Sequence, residues 1–308
     1  MFLKNENISV ELLPKRGGLV SSIKWQESEI LYPPELDPQA TSAWVHGGMP
    51  LLFPFAGRVF DEGRQGLYEV EGRKYPMPIH GFVYAKEWSV VDQSDEFVEL
   101  SLRYSDKTLS LFPWLFQLHY RIELAEKGVK FRLHVEHLDG SKRKAVLVGE
   151  GAKLEQGSED SYLASPMPVS PGIHPYFLLK GGFKLESVGA DHQFDVQPDG
   201  SLGKTRPFSD QSLSSQHCEN TILHHDDFSE ALLQTENFRL RVFSKDCQYT
   251  VLWSSDLSKY VCIEPWSGVP DAVSFASIAG TEPGEHPLSA KLLAVGASES
   301  FEFQIEVE

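Results

Sequence analysis

Cationic clusters, cysteine pairs and long apolar runs are the three features this 308-residue chain is short of. It carries 28 Lys and Arg against 44 Asp and Glu, a formal net charge of -16, and no Lys/Arg cluster forms a nucleic-acid footprint. Polyanionic partners are therefore disfavoured, and a phosphate-bearing ligand would need a local basic pocket on an acidic protein. Cys218, Cys247 and Cys262 are the only cysteines, and none stands in CxxC spacing. Neither a disulfide framework nor a zinc knuckle is expected, and the default is a reduced cytoplasmic protein. No stretch approaches about 20 apolar residues, and Met1 to Leu12 mixes polar and apolar residues. The expectation is no membrane span and no signal peptide.

Two-residue alternation is what the chain has instead. Val98, Leu100, Leu102 and Tyr104 share one face, as do Leu118, Tyr120, Ile122 and Leu124. Val129, Phe131, Leu133 and Val135 alternate with Lys130, Arg132, His134 and Glu136, and the chain closes on Phe301, Phe303, Ile305 and Val307. Each run reads as a half-buried strand. Turn pairs such as Gly17-Gly18, Glu71-Gly72, Lys127-Gly128, Asp139-Gly140 and Asp199-Gly200 separate such runs, so hairpins are frequent. No long helical periodicity, fixed repeat or low-complexity linker divides the chain. One antiparallel, all-β, two-sheet domain over 1–308 is expected. The polar stretches Gly140 to Ser170 and Ser209 to Asp227 read as surface excursions.

Four segments break the alternation by gathering Gly, Pro, aromatic and ionisable residues, where a β scaffold tends to place its site. They are Gly47-Gly48-Met49-Pro50-Leu51-Leu52-Phe53-Pro54-Phe55-Ala56-Gly57-Arg58, Pro78-Ile79-His80-Gly81-Phe82, Gly172-Ile173-His174-Pro175-Tyr176-Phe177 and Ile263-Glu264-Pro265-Trp266-Ser267-Gly268. Each alone is a weak signal. An isolated His before Pro is more often a hydrogen-bonded loop residue, and a Glu between apolar residues is more often half of an ion pair.

Taken in order, the four segments resemble the aldose 1-epimerase family of galactose mutarotase-like proteins, in the bacterial branch with HGF, HPYF-like and EPW segments. The resemblance runs over essentially the whole chain. It implies a large twisted antiparallel β-sandwich, the galactose mutarotase-like supersandwich, with a monosaccharide bound in a cleft on one sheet. It also implies His174 as general acid and Glu264 as general base, with Arg58 and His80 on the sugar hydroxyls. From their chemistry alone, Trp266, Phe55, Phe82 and Tyr176 are candidates to offer a ring face to the C–H surface of a sugar. No metal or other cofactor is implied, and the chain would act as a monomer or homodimer.

The chemistry gives its own reason to want such a pair. Opening a hemiacetal requires one group to take the proton of the anomeric hydroxyl and another to protonate the ring oxygen. A carboxylate and an imidazole suit those roles near neutral pH.

Two positions depart from the family pattern. Val83-Tyr84 follow Phe82 where much of the branch has Ala-Arg, which removes a permanent charge and a bidentate donor. Tyr84 would donate one neutral hydrogen bond instead. The family's further aspartate has its nearest match at Glu230, with Asp227 as competitor. These departures keep two alternatives open beside a free-sugar epimerase. One is a non-catalytic sugar-binding or regulatory protein. The other is a hexose-6-phosphate 1-epimerase, for which Lys86, Arg64 or Arg73 would have to supply the basic pocket. The run His224-His225-Asp226-Asp227 gathers ligand types, but neighbours on a strand face opposite ways and would not share one ion. Asp191-His192 reads as the start of a strand.

Overall fold

A computed structural model describes the protein at residues 1–36, 44–140, 162–210, 212–276 and 290–308. Two large antiparallel sheets dominate. The first has nine strands, in the spatial order Ser89–Gln93, Phe97–Arg103, Phe116–Ala125, Gly128–His137, Ser298–Val307, Arg239–Ser244, Ser229–Gln234, Lys184–Ser187 and Ser212–Leu213. The second has eight, running Leu202–Pro207, Ala190–Val196, Thr221–His225, Tyr249–Trp253, Tyr260–Trp266, Gly172–Ile173 and Leu51–Leu52, with Tyr176–Leu178 also paired to Tyr260–Trp266. A four-stranded sheet from Phe2–Lys4 to Ser28–Glu29 adds to them. Among the described residues no helix is long and apolar enough to cross a membrane.

The alternating runs sit where their periodicity puts them. Leu118 faces Val135, Tyr120 faces Leu133 and Ile122 faces Phe131, which in turn meets Phe303 of the last strand. All of these side chains are buried, while Lys130 and Arg132 between them are exposed. Cross-strand apolar pairs of this kind are the unit that stabilises a sheet, and a fully buried Phe or Leu contributes roughly 1.5–3 kcal/mol.

The central strands of the second sheet lack that alternation, because both of their faces are covered. Every residue of Tyr260–Trp266 is buried. Val261 and Ile263 join the main core, together with Leu223, Leu252 and Phe177 from neighbouring strands. Tyr260, Cys262, Glu264 and Trp266 point the other way, with Tyr176, Tyr249, Val251 and Ile222. That second face carries the cleft. A strand buried on both sides reads as a continuous apolar run, which hides its period from the sequence.

Of the two expected surface excursions, residues 141–161 of the first lie outside the described residues, and Met167–Val169 beyond them is a strand paired with Lys291–Leu293. The second is corrected by the structure. Within Ser209 to Asp227, Thr221–His225 is an interior strand of the eight-stranded sheet, paired on one side with Ala190–Val196 and on the other with Tyr249–Trp253. The polar composition of the stretch made it look like a loop, but His224 and His225 each have a partner inside the sheet.

Candidate functional site

Strand alternation aims Glu264 into the cleft. Ile263 and Pro265 face away from it, so the carboxylate of Glu264 lies on the cleft face with Trp266, whose indole N–H donates to Glu264 Oε2 at 3.1 Å. His174 arrives from the adjoining Gly172–Ile173 strand, its backbone N–H donating to the carbonyl of Pro50 at 3.0 Å. Its Nε2 lies 3.3 Å from Glu264 Oε1, and only 6% and 1% of the two side chains are exposed. The imidazole stacks on Tyr176 at 4.6 Å with 11° between the planes, and Trp44 and His80 pack against it at 5.3 Å.

His80 is fixed by its backbone. It adopts a left-handed φ of 62°, and the following Gly81 a φ of 79°. A side chain at Gly81 would also strike the carbonyl of Phe53, so this turn requires glycine. The turn brings His80 Nδ1 to accept the N–H of Gly57 at 3.1 Å. That bond places the ring hydrogen of neutral His80 on Nε2, leaving a donor for a ligand.

The cleft encloses about 370 Å³, the size of a monosaccharide site, between Trp44, His46, Arg58, His80, His174, Tyr176, Asn220, Trp253, Glu264 and Trp266, with Val196, Ile222 and Val251 forming an apolar wall. Among the described lining residues Glu264 is the only carboxylate and Arg58 the only Lys or Arg. The stem of Arg58 lies against the bare Cα of Gly200, where a methyl group would come within 2.8 Å of Arg58 Cδ.

Burial sets the electrostatics. It pushes the Glu264 carboxyl well above the usual carboxylate range, opposed only by the Trp266 hydrogen bond. It drives the His174 imidazole well below its usual value, and neighbouring His80 adds to that. Each group thus resists carrying charge alone, and the pair is most stable holding one proton between them. His80 is held down to about 3 by burial and then by the Arg58 charge, and His225, behind the sheet, to about 4 by burial.

These depressed histidines make stability depend on pH. Their folded values lie below the unfolded value of about 6.5, so the unfolded chain takes up protons first as pH falls. Their contribution is complete above about pH 6.5 and is lost as pH falls toward the folded values. Glu264 and His174 shift in opposite senses, so their contributions oppose each other. From His80 and His225 together we expect a loss of roughly 2–4 kcal/mol between pH 7 and 5. Urea denaturation at the two pH values measures it, and an unchanged midpoint would contradict the buried-neutral assignment.

The structure brings together His174, Glu264, Arg58, His80 and Trp266, and leaves two expected site residues outside. Glu230 sits on the outer face of the nine-stranded sheet, since its neighbours Ala231 and Leu233 fill the core. There both its oxygens are held by Arg241, at 2.7 Å from Nε and 3.2 Å from Nη2. It is half of an ion pair across the sandwich from the cleft, and the competing Asp227 is exposed. Tyr84 stands one layer back, edge-on to Trp44 at 5.0 Å. Replacing Arg241 by Met should therefore lower stability by about 1–3 kcal/mol, because Glu230 loses its partner, while leaving the His174–Glu264 contact intact. Urea unfolding measures the loss, and an unchanged midpoint would contradict the ion pair.

Trp44, His46, Trp253 and Asn220 line the cleft without having stood out in the sequence. Lone aromatics in a β protein give no signal of their own, and Asn220 lies in the stretch that resembled a loop. None of Lys86, Arg64 and Arg73 lines the cleft. Arg64 is engaged with Asp61 at 3.3 Å, and the Lys86 ammonium lies 5.8 Å from the Phe82 ring.

Comparison with known proteins gives the same architecture. The sequence model of the family described as aldose 1-epimerase matches residues 2–153. The chain is 23% identical over 295 residues to the chromosomal protein LacX of Lactococcus lactis subsp. lactis, covering 91% of this chain and 92% of the relative. A galactose mutarotase related enzyme of Lactobacillus acidophilus superposes with a TM-score of 0.77 at 19% identity, over 100% of this chain and 97% of the other. A galactose mutarotase-like protein of Lactobacillus casei does so with 0.76 at 18% identity, over 100% and 99%.

Proposed function

Since residues 2–153 match the aldose 1-epimerase family and the fold is that of galactose mutarotase-like proteins, we propose that the chain interconverts the α and β anomers of a free aldose by acid–base ring opening and reclosure. The observation that carries this reading is the contact of the His174 imidazole with the Glu264 carboxylate, 3.3 Å apart at the base of a sugar-sized cleft.

Glu264 in its ionised form takes the proton of the anomeric hydroxyl, while protonated His174 delivers one to the ring oxygen. The bond between the anomeric carbon and the ring oxygen breaks, the aldehyde forms, and rotation about the next carbon–carbon bond presents its other face. Reclosure returns each proton by the reverse transfers. Electrons and protons balance within the sugar and the pair, so the step requires no outside reactant. The once-protonated pair carries the one proton this cycle needs; burial places that proton on Glu264, so turnover draws on the less populated form with the proton on His174. A bell-shaped dependence of kcat/KM on pH follows, as one proton too many disables the base and one too few the acid.

The surrounding groups suit a neutral sugar. Arg58 and the Nε2–H of His80 supply donors for hydroxyls, and the faces of Trp44, Trp253 and Trp266 suit the C–H surface of a pyranose. The Nδ1 of His174 is buried with no hydrogen-bond partner among the described residues, which leaves Nε2, beside Glu264, as its working nitrogen. A phosphorylated substrate finds little support, because Arg58 is the single Lys or Arg among the described lining residues.

The direct test is polarimetry or NMR on pure α-glucose and α-galactose, with their 6-phosphates in parallel. The reading expects faster equilibration of a free sugar than of its phosphate. Binding of sugars without any acceleration would sink it in favour of a non-catalytic sugar-binding protein.

A further inference from the structure

Three potential metal-ligand side chains converge on the cleft face of the eight-stranded sheet, away from the acid–base pair. His192 of strand Ala190–Val196 stands directly opposite His224 of strand Thr221–His225. Asp191 reaches both. Its Oδ1 lies 2.7 Å from His224 Nδ1, and its Oδ2 lies 2.9 Å from His192 Nδ1. The three donor atoms all fall within 4.8 Å of one another.

We infer that Asp191, His192 and His224 form a binding site for a divalent transition-metal ion of the zinc class, with a further coordination position open to water. The donor set carries the choice of ion. Two imidazole nitrogens and one carboxylate suit zinc, nickel, copper or ferrous iron, whereas calcium and magnesium take shells of oxygen. Donor atoms around a tetrahedral zinc stand about 3.3 Å apart, given bonds of about 2.0–2.1 Å. The Asp191 oxygens lie 2.7 and 2.9 Å from the two Nδ1 atoms and all three donors fall within 4.8 Å, a spread that brackets that spacing. Exposure decides the open position, since the His192 side chain is 46% exposed and His224 only 16%. The more buried ring is seated against Tyr249, with centroids 5.4 Å apart.

The adjacent His225 takes no part. It faces the other side of the sheet, where Nδ1 meets the Val188 carbonyl at 3.0 Å and Nε2 meets Thr250 Oγ1 at 2.9 Å. The two histidines meet across two strands, and the register shift between Ala190 and His192 breaks the alternation there, so that Asp191 reaches both of them. Because Ile222 lines the cleft two residues before His224, the ion would fasten the sheet beside the sugar site.

The experiment is a calorimetric titration of the chelator-treated full-length chain with zinc, with cobalt absorption as an independent report of ligand field. A second donor cluster must be distinguished, since His174, Cys262 and Glu264 also lie within 4.8 Å of one another. The expected result is one saturable site, weakened at least about tenfold in each of His192→Ala, His224→Ala and Asp191→Asn, and unchanged in Glu264→Gln. Circular dichroism melts of the variants confirm folding, and Asp191→Asn keeps the shape of the cluster if an alanine variant fails. No saturable binding, binding indifferent to His192→Ala and His224→Ala, or binding lost in Glu264→Gln would each overturn the assignment. The last of these would put the ion in the cleft.

Discussion

Replacing Glu264 by Gln is expected to lower the rate of anomer interconversion by about 10²–10⁴-fold, the range supplied by one positioned acid–base group. The substitution keeps the shape and leaves an oxygen to accept the Trp266 N–H, now 3.1 Å from Oε2. It also removes a carboxyl that burial alone makes costly to ionise, so folding should survive or improve slightly. Sugar affinity should change little, because Arg58, His80 and the aromatic walls are untouched. Loss of turnover with retained calorimetric binding is the outcome that supports the base assignment. Wild-type rates in this variant would remove Glu264 from the mechanism.

The second large effect is at His174. His174→Gln should cost a similar 10²–10⁴-fold, and its pH profile should differ from that of the wild type. With the imidazole gone only Glu264 titrates, so the acid limb of kcat/KM persists and the alkaline limb disappears. A purely structural role for His174 would lower the whole profile without changing its shape. The double variant Glu264→Gln with His174→Gln should be about as slow as the slower single variant, because the two groups act as a unit on one proton cycle. Multiplying losses would instead show that the two act independently, contrary to a pair 3.3 Å apart.

How far the residues themselves foretold this arrangement depended on solvent. In the nine-stranded sheet one face meets water and the other the core, so Phe116–Ala125 and Gly128–His137 display their period openly. In the eight-stranded sheet Tyr260–Trp266 is covered on both faces, and the period that would have shown Glu264 and Trp266 sharing a side is absent. The pair was found through the order of its motifs. Glu230 shows the cost of working along one dimension. Its place before an apolar run matched the family's aspartate in the sequence, but the alternation that sends Ala231 and Leu233 into the core turns it outward to Arg241.

By itself, then, the sequence determined the strand-rich character, the alternating faces of the first sheet and the four segments that build the cleft, because these depend on short-range periodicity and local turn chemistry. Tertiary structure alone decided which residues meet. Strand pairing set His174 against Glu264 from positions 90 residues apart, brought Trp44 and Asn220 to the cleft wall, and joined Asp191 and His192 to His224 across a sheet. Those contacts depend on register between distant strands, which is fixed by burial of whole faces and leaves no mark on the residues between.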